Sequence, residues 1–263
     1  MMHSIFPDTS KPIIGMIHLP ALPGSPRFAG KLDHLYEAVL HDARALEAGG
    51  AHGLMLENFG DTPFYPGRVP ASVVAQMTAI AIEIRRAVKL PLGINVLRND
   101  GMSALAVAVA SGAQFIRVNV LCGARVTDQG LLQGIAHDLL RERALLDAKH
   151  IQILADVDVK HSAGLADRPI ADEVEDLLER GLADGVIVSG AGTGKPTDLA
   201  KLQAVKKAAG RSPVYVGSGV TAASIAGFLP HADGFIVGTA FKEDGNVANL
   251  VEVQRVREIV AKV

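Results

Sequence analysis

Five polar side chains follow one another closely in residues 155–162, which read Ala-Asp-Val-Asp-Val-Lys-His-Ser. Side chains alternate along an extended strand, so Asp156, Asp158 and Lys160 would share one face. A lysine beside carboxylates can donate a proton, stabilise an enolate or, in a more apolar pocket, form a Schiff base. We interpret Asp156, Lys160 and His161 as candidate catalytic residues and Asp158 as a candidate for substrate binding. A structural ion pair at a rim is the alternative.

Two glycine turns near the C-terminus predict a phosphate site. Residues 214–221 run from a strand into a helix through Gly217, Ser218 and Gly219, and a second turn at Gly238 and Thr239 follows the next strand. Glycine lets backbone amides approach an anion closely, and a helix N-terminus adds partial positive charge. The other interpretation is that these glycines only make tight turns.

Further polar residues stand where apolar runs end. Glu57 could be a general base or could cap backbone amides, and His18 is a candidate acid or base, although a lone histidine is more often a packing residue. The remaining candidates are Asn119 for catalysis and, for substrate binding, Asn58, Asn95, Arg117, Ser189 and Thr193.

Two other kinds of site are disfavoured. Residues 189–196 suggest a P-loop, but Ser189 stands where the first glycine is required and Pro196 follows the lysine. We expect instead a mobile loop that closes over substrate. No His-x-His or His-x-x-x-His pair indicates zinc, so we expect neither a bound metal nor a cofactor.

The elements that must position these residues alternate between short apolar runs and longer amphipathic segments. Uniformly apolar runs are typical of parallel strands covered on both faces. We predict strands at residues 13–18, 53–57, 92–96, 115–119, 151–159, 185–189, 214–217 and 234–238. Helices are predicted at residues 32–48, 72–89, 131–148, 170–182 and 247–261.

Eight strand-then-helix units favour a single α/β domain, a (β/α)₈ or TIM barrel over residues 1–263, with a doubly wound open sheet as the alternative. The glycine turns follow the last strands, whereas a Rossmann domain has its glycines after the first strand. In a barrel, functional residues converge where the strands end.

Composition fits this prediction. The chain has 263 residues, of which 49% are apolar and 21% charged, and its net charge of −2 disfavours nucleic acid as a partner. We find no signal peptide and no transmembrane segment. The only cysteine, Cys122, excludes an intramolecular disulfide, and a cytoplasmic location fits. An apolar helix face could serve a homo-oligomer.

Six segments together resemble the BtpA family, which is named for a protein linked to photosystem I biogenesis. They span most of the chain and are residues 15–26, 57–64, 95–100, 115–119, 155–161 and 233–242. The resemblance implies a ribulose-phosphate-binding-like barrel and a phosphorylated ligand. The residue between the two valines of the fifth segment varies in the pattern, so Asp158 carries less weight.

Three functional hypotheses remain at this point. The leading one is an isomerase, lyase or transferase acting on a phosphorylated sugar or nucleotide-like molecule, with Lys160 and Asp156 managing the proton and Glu57 assisting. The second is a non-catalytic assembly factor for a membrane complex, as the family name implies. The third is a metal-dependent hydrolase using Asp156 with His18, Glu57 or His161.

Overall fold

The strands close into a parallel barrel. The computed structural model describes residues 5–7, 9–190, 192 and 197–263. Within these residues eight strands form the barrel, namely β1 Ile13–His18, β2 Gly53–Glu57, β3 Leu92–Asn95, β4 Phe115–Val118, β7 Gln152–Val157, β9 Gly185–Val188, β10 Val214–Val216 and β11 Gly234–Val237. Around the barrel they follow the order β1-β11-β10-β9-β7-β4-β3-β2. The barrel prediction is confirmed, and each predicted strand contains one of these eight.

Helices follow the strands and pack outside them. They are α1 Leu32–Ala48, α2 Ala71–Ala87, α3 Gly101–Ser111, α4 Ala136–Leu145, α5 Ile170–Glu175, α6 Leu199–Ala209, α7 Ile225–Phe228 and α8 Val253–Val260. Short helical turns complete the set at Asp176–Arg180, Leu229–His231, Thr239–Phe241 and Glu243–Gly245. The strands are almost wholly buried because helices cover one face and the barrel interior the other.

A small three-stranded sheet was not predicted. It has the order β6-β5-β8, with β5 Ala124–Thr127, β6 Gly130–Gln133 and β8 Ser162–Gly164. The predicted helix over residues 131–148 is therefore wrong at its start, because Gly130 turns the chain at φ +94° into a hairpin. These strands lie in the connections after β4 and β7, at the C-terminal end of the barrel.

The barrel interior is packed with apolar side chains below a polar layer. A buried cluster fills it with side chains from every barrel strand except β3, together with Phe6, namely Phe6, Ile14, Met16, Met55, Phe115, Leu154, Ile187, Tyr215 and Ile236. A Cβ added at Gly93 of β3 would lie 2.1 Å from the Phe115 ring, so this glycine makes room for that ring. Polar residues can then collect only above this layer, at the C-terminal ends of the strands.

The turn after β11 is fixed to the first helix by a buried ion pair. Lys242 Nζ bonds Asp42 of α1, and the second oxygen of Asp42 accepts from the Val251 amide at 2.7 Å. Both side chains are at least 95% buried. The pair thus ties the segment that follows the Gly238 turn to helix α1. No helix in the described part of the chain is long and apolar enough to cross a membrane.

Candidate active site

A cavity of about 400 Å³ opens at the C-terminal end of the barrel. His18 ends β1, Glu57 ends β2 and Arg117 lies in β4, and all three side chains line it. The cavity is completed by Lys160 after β7, by residues 217–223 after β10 and by residues 238–240 after β11. The structure thus brings together nine of the residues selected from the sequence, namely His18, Glu57, Arg117, Lys160, Gly217, Ser218, Gly219, Gly238 and Thr239.

Asp156 does not line this cavity, and both of its carboxylate oxygens accept hydrogen bonds from Arg117. Its carboxylate accepts from Arg117 Nε at 2.9 Å and from Arg117 Nη2 at 2.8 Å, and the Asn119 amide donates to it at 2.7 Å. Ser189 Oγ lies 3.4 Å away. Burial alone would lower the pKa of Arg117, but the Asp156 carboxylate beside it raises that pKa, with a further contribution from Glu57. The guanidinium is therefore a fixed positive charge.

Lys160 differs because its amine makes no hydrogen bond or ion pair with any residue of the described chain. Burial lowers its pKa first, and the neighbouring charge of Arg117 lowers it further, while Glu57 and Asp156 oppose the shift. A lowered pKa makes the neutral amine more available near neutral pH. Lys160 thus lines the cavity with an amine that has no partner in the described chain.

The expectation that Asp158 shares a face with Lys160 is wrong. Strand β7 ends at Val157, and Asp158 has φ +50°, so the alternation of an extended strand stops there. Asp158 turns away and bonds Arg125 at 2.6 Å and Lys201 at 2.5 Å. His161, also at positive φ, is exposed at the edge of a neighbouring cavity.

His18 lines the cavity beside Glu57 and Phe59. Its Nε2 lies 4.0 Å from Glu57 Oε1, and its ring centroid lies 4.8 Å from that of Phe59, with the two rings tilted by 51°. A Cβ at Gly238 would come within 2.6 Å of the His18 ring, so glycine is needed for this packing. Burial, with the positive charges of Lys242, Lys160 and Arg117, lowers the pKa of His18 to about 3. The imidazole is therefore neutral, and its approach to Glu57 is not an ion pair.

We expect this buried neutral histidine to make folding stability depend on pH. Above the ordinary histidine pKa of 6.5 neither state binds the proton, but below it only the unfolded chain does, so stability falls as pH falls towards 3. Between about pH 7 and pH 5 the loss should be about 2 kcal/mol. Urea unfolding of the wild type and of His18→Gln at both pH values measures it. Equal pH dependence in the two proteins would contradict a neutral His18.

The glycine turns offer backbone amides to the cavity. Gly219 has φ +69°, and the amides of Ala222, Ala223 and Ala240 have no acceptor among the described residues. The Ser218 hydroxyl is used within the protein, because it accepts from the Gly190 amide at 2.7 Å. Any anion bound here would be held by main-chain groups rather than by the Ser218 side chain.

Several predicted substrate-binding residues support the mouth from outside its cavities. The Asn58 amide oxygen accepts from the Leu97 amide at 2.7 Å, and the Asn95 side chain donates to the Arg117 carbonyl at 3.1 Å. Ser189 lies beside Asp156. Thr193 is outside the described residues. Among the described residues no group of three or more His, Cys, Asp or Glu is placed to hold a metal ion.

A second cavity of about 350 Å³ adjoins the first and was missed from the sequence. It shares Glu57, Arg117 and Lys160 with the first cavity, so the two cavities meet at these three side chains. Its other lining residues are Phe59, Thr62, Phe64, Leu97, Arg98, Asn119, Asp128 and His161. A sequence signal for Arg98 was present, since it is the only basic residue in the motif at residues 95–100.

Comparison with known proteins gives consistent results. A family model described as "BtpA family" matches residues 9–263. An uncharacterized protein of Thermococcus kodakarensis is 48% identical over 250 residues, covering 95% of this chain and 94% of its own length. Photosystem I biogenesis protein BtpA of Synechocystis is 45% identical over 253 residues, covering 96% of this chain and 88% of its own.

Solved structures resemble the chain in fold. N-(5'-phosphoribosyl)anthranilate isomerase from Pyrococcus furiosus has a TM-score of 0.57 and 14% identity, covering 96% of this chain and 98% of its own. KGPDC from Streptococcus mutans has a TM-score of 0.59 and 11% identity, covering 97% of each chain. At such identities the likeness extends to the barrel and not to the reaction.

Proposed function

This chain belongs to the BtpA family, and we propose that it is an enzyme acting on a phosphorylated sugar or a similar small phosphorylated metabolite. The observation that carries the proposal is one cavity lined both by a partly buried lysine and by backbone amides, neither of which has a bonding partner among the described residues. A phosphate after the last two strands is a common arrangement in this fold.

The phosphate would bind to the unbonded amides of the two turns, such as those of Ala222, Ala223 and Ala240. Glycine at these turns lets the main chain come close to the anion, and Arg255 and Glu258 also line the cavity. The phosphate would thereby fix one end of the substrate and place its next carbons between Lys160, Glu57 and Arg117. Positioning of this kind accounts for a large part of enzymatic rate enhancement.

Proton transfer beside a carbonyl suits the residues at the reacting end. Lys160 in its neutral form would take a proton from a carbon next to the carbonyl, and the ammonium so formed would return the proton to a neighbouring atom, with the Glu57 carboxylate stabilising the ammonium in between. Arg117, held rigidly by Asp156, would stabilise negative charge that develops on the carbonyl oxygen. Asp156 then acts as a positioning residue, and isomerase, lyase and transferase reactions all remain open.

Two other functions have less support. A purely non-catalytic assembly factor, suggested by the name of the Synechocystis relative, gives no reason to bury an unpaired lysine at a barrel mouth. A metal-dependent hydrolase needs a ligand set, and His18, Glu57, Asp156 and His161 do not form one among the described residues.

A thermal unfolding screen against inorganic phosphate and phosphorylated sugars tests the proposal. A ligand at 100 times its dissociation constant should stabilise the protein by about 2.7 kcal/mol. In Gly219→Asp we expect this stabilisation to disappear, because a carboxylate at φ +69° would repel the phosphate.

Gly112→Asp is the matched control for this variant. Gly112 also has positive φ, at +73°, but caps the end of α3 and lines neither cavity, and an added Cβ there would meet only the terminal nitrogen of Arg85, at 3.9 Å. Both variants therefore carry similar backbone strain and the same added charge. Loss of the ligand effect in Gly219→Asp alone supports the phosphate site. Equal ligand effects in the two variants, or none in the wild type, would refute it.

A further inference from the structure

Arg98 is a buried cation without a partner carboxylate. The residue is 3% exposed, and no carboxylate of the described chain lies within 4.0 Å of its guanidinium. One terminal nitrogen donates to the Lys160 carbonyl at 2.5 Å, while Nε is buried with no hydrogen-bond partner. Buried charges are normally paired, because leaving water without a compensating ion is costly. The described residues therefore leave the Arg98 guanidinium without a counter-ion, and a bound anion would supply it.

The surroundings of Arg98 define what could complete it. Arg98 lines the second cavity together with the apolar side chains of Phe59, Phe64 and Leu97. Asn119 lines it as well, with a buried amide oxygen that has no partner. The cavity therefore offers apolar walls, a guanidinium that lacks an anion and a free hydrogen-bond acceptor.

No carboxylate near the second cavity pairs with Arg98 within the described chain. Asp156 is committed to Arg117, Asp128 is exposed to solvent and bonded to Gln129, and no salt bridge joins Glu57 to Arg98. Burial lowers the pKa of Arg98, and Asp156 and Asp128 oppose this shift. A single additional negative charge therefore fits the cavity better than a doubly charged group, which Glu57 and Asp128 would repel.

We propose that the substrate carries a carboxylate at the end opposite its phosphate, and that Arg98 binds this carboxylate in the second cavity. The planar guanidinium fork matches a carboxylate, and such charge-assisted pairs are shorter and stronger than neutral hydrogen bonds. Phe59, Phe64 and Leu97 enclose the apolar part that joins the carboxylate to the reacting carbons. This inference rests on the proposed function, because the phosphate fixes the other end of the molecule.

Phosphonates that carry a carboxylate test the inference. The probes are ω-phosphonoalkanoates of increasing chain length and 4-(phosphonomethyl)benzoate, each compared with its methyl ester by calorimetric titration. The acid whose length spans both cavities should bind at least about tenfold more tightly than its ester, because the second contact is intramolecular. In Arg98→Met the acid should fall to the affinity of the ester, and Arg98→Lys should retain part of the preference.

The outcomes separate this inference from the proposed function. Esters that bind, acids that gain nothing and an Arg98→Met variant that binds both equally would overturn the carboxylate site and leave the phosphate site standing. Failure of every phosphonate and of inorganic phosphate to bind would refute the proposed function itself. The comparison of acid with ester in the wild type needs no variant, so a misfolded Arg98→Met protein would not obscure the result.

Discussion

Replacing Lys160 with methionine is expected to slow turnover of the phosphorylated substrate by about 10²- to 10⁴-fold, the usual contribution of a general acid or base. The methionine keeps the apolar stem of the lysine and removes the amine that has no partner in the described chain. Because the phosphate would bind at the opposite end of the cavity, its affinity should change little. Steady-state kinetics on the substrate found by the thermal screen, with calorimetric titration of inorganic phosphate, separate the two effects.

The pH dependence of the wild type gives a second measurement of the same role. Burial and the charge of Arg117 lower the pKa of Lys160 from its ordinary value of 10.5. If the neutral amine takes the proton, kcat/KM should rise with pH and level off well below pH 10.5, and Lys160→Met should lose this rise. Lys207→Met, an exposed lysine on α6, is the control for loss of one charge. A Lys160→Met enzyme with full turnover would contradict the assignment.

The barrel could be predicted from the sequence because its signal is local. The barrel strands are mainly apolar runs that lead into polar or glycine residues, and such runs are typical of a parallel sheet covered on both faces. Strand β2 is an example, since it is buried from Gly53 to Glu57 and places a carboxylate at the mouth. The convergence of the polar ends then follows from the closed topology.

Residues whose roles depend on backbone reversals or distant contacts could not be predicted. The pattern at residues 156–160 indicates alternation, but the positive φ of Asp158 ends the strand and sends this side chain to Arg125. Arg98 acquires its position by bonding the carbonyl of Lys160, 62 residues further along the chain. Neither a local propensity nor a motif contains that contact.

Removing the Asp156 carboxylate is expected to lower the free energy of unfolding by about 3–5 kcal/mol, the cost of leaving a buried charge without its partner. Arg117 is 2% exposed and Asp156 is fully covered, with two hydrogen bonds between them. In Asp156→Ala the guanidinium keeps its charge but loses both acceptors. Glu57 does not compensate for the lost carboxylate. It acts on Arg117 only as a more distant charge, since no salt bridge joins the two residues in the described chain.

Urea unfolding of four variants separates the cost of an unpaired charge from the worth of the pair. Asp156→Ala should be strongly destabilised. The double variant Arg117→Met, Asp156→Leu should recover most of the stability, because apolar replacement of a buried pair is often neutral. Arg117→Met alone should also be destabilised, since it leaves the Asp156 carboxylate buried. Glu83→Ala, which breaks the exposed Arg86 pair, should cost no more than about 1 kcal/mol.

A further variant, Asp156→Asn, distinguishes a positioning role for Asp156 from a direct part in proton transfer. If Asp156 only fixes Arg117 and Asn119, the isosteric Asp156→Asn should keep the pH dependence of turnover set by Lys160 while lowering kcat, because the guanidinium is held less firmly. If Asp156 itself moves the proton, the pH dependence should change with its removal. A loss below about 1 kcal/mol in Asp156→Ala would contradict the buried pair and with it the fixed charge at the mouth.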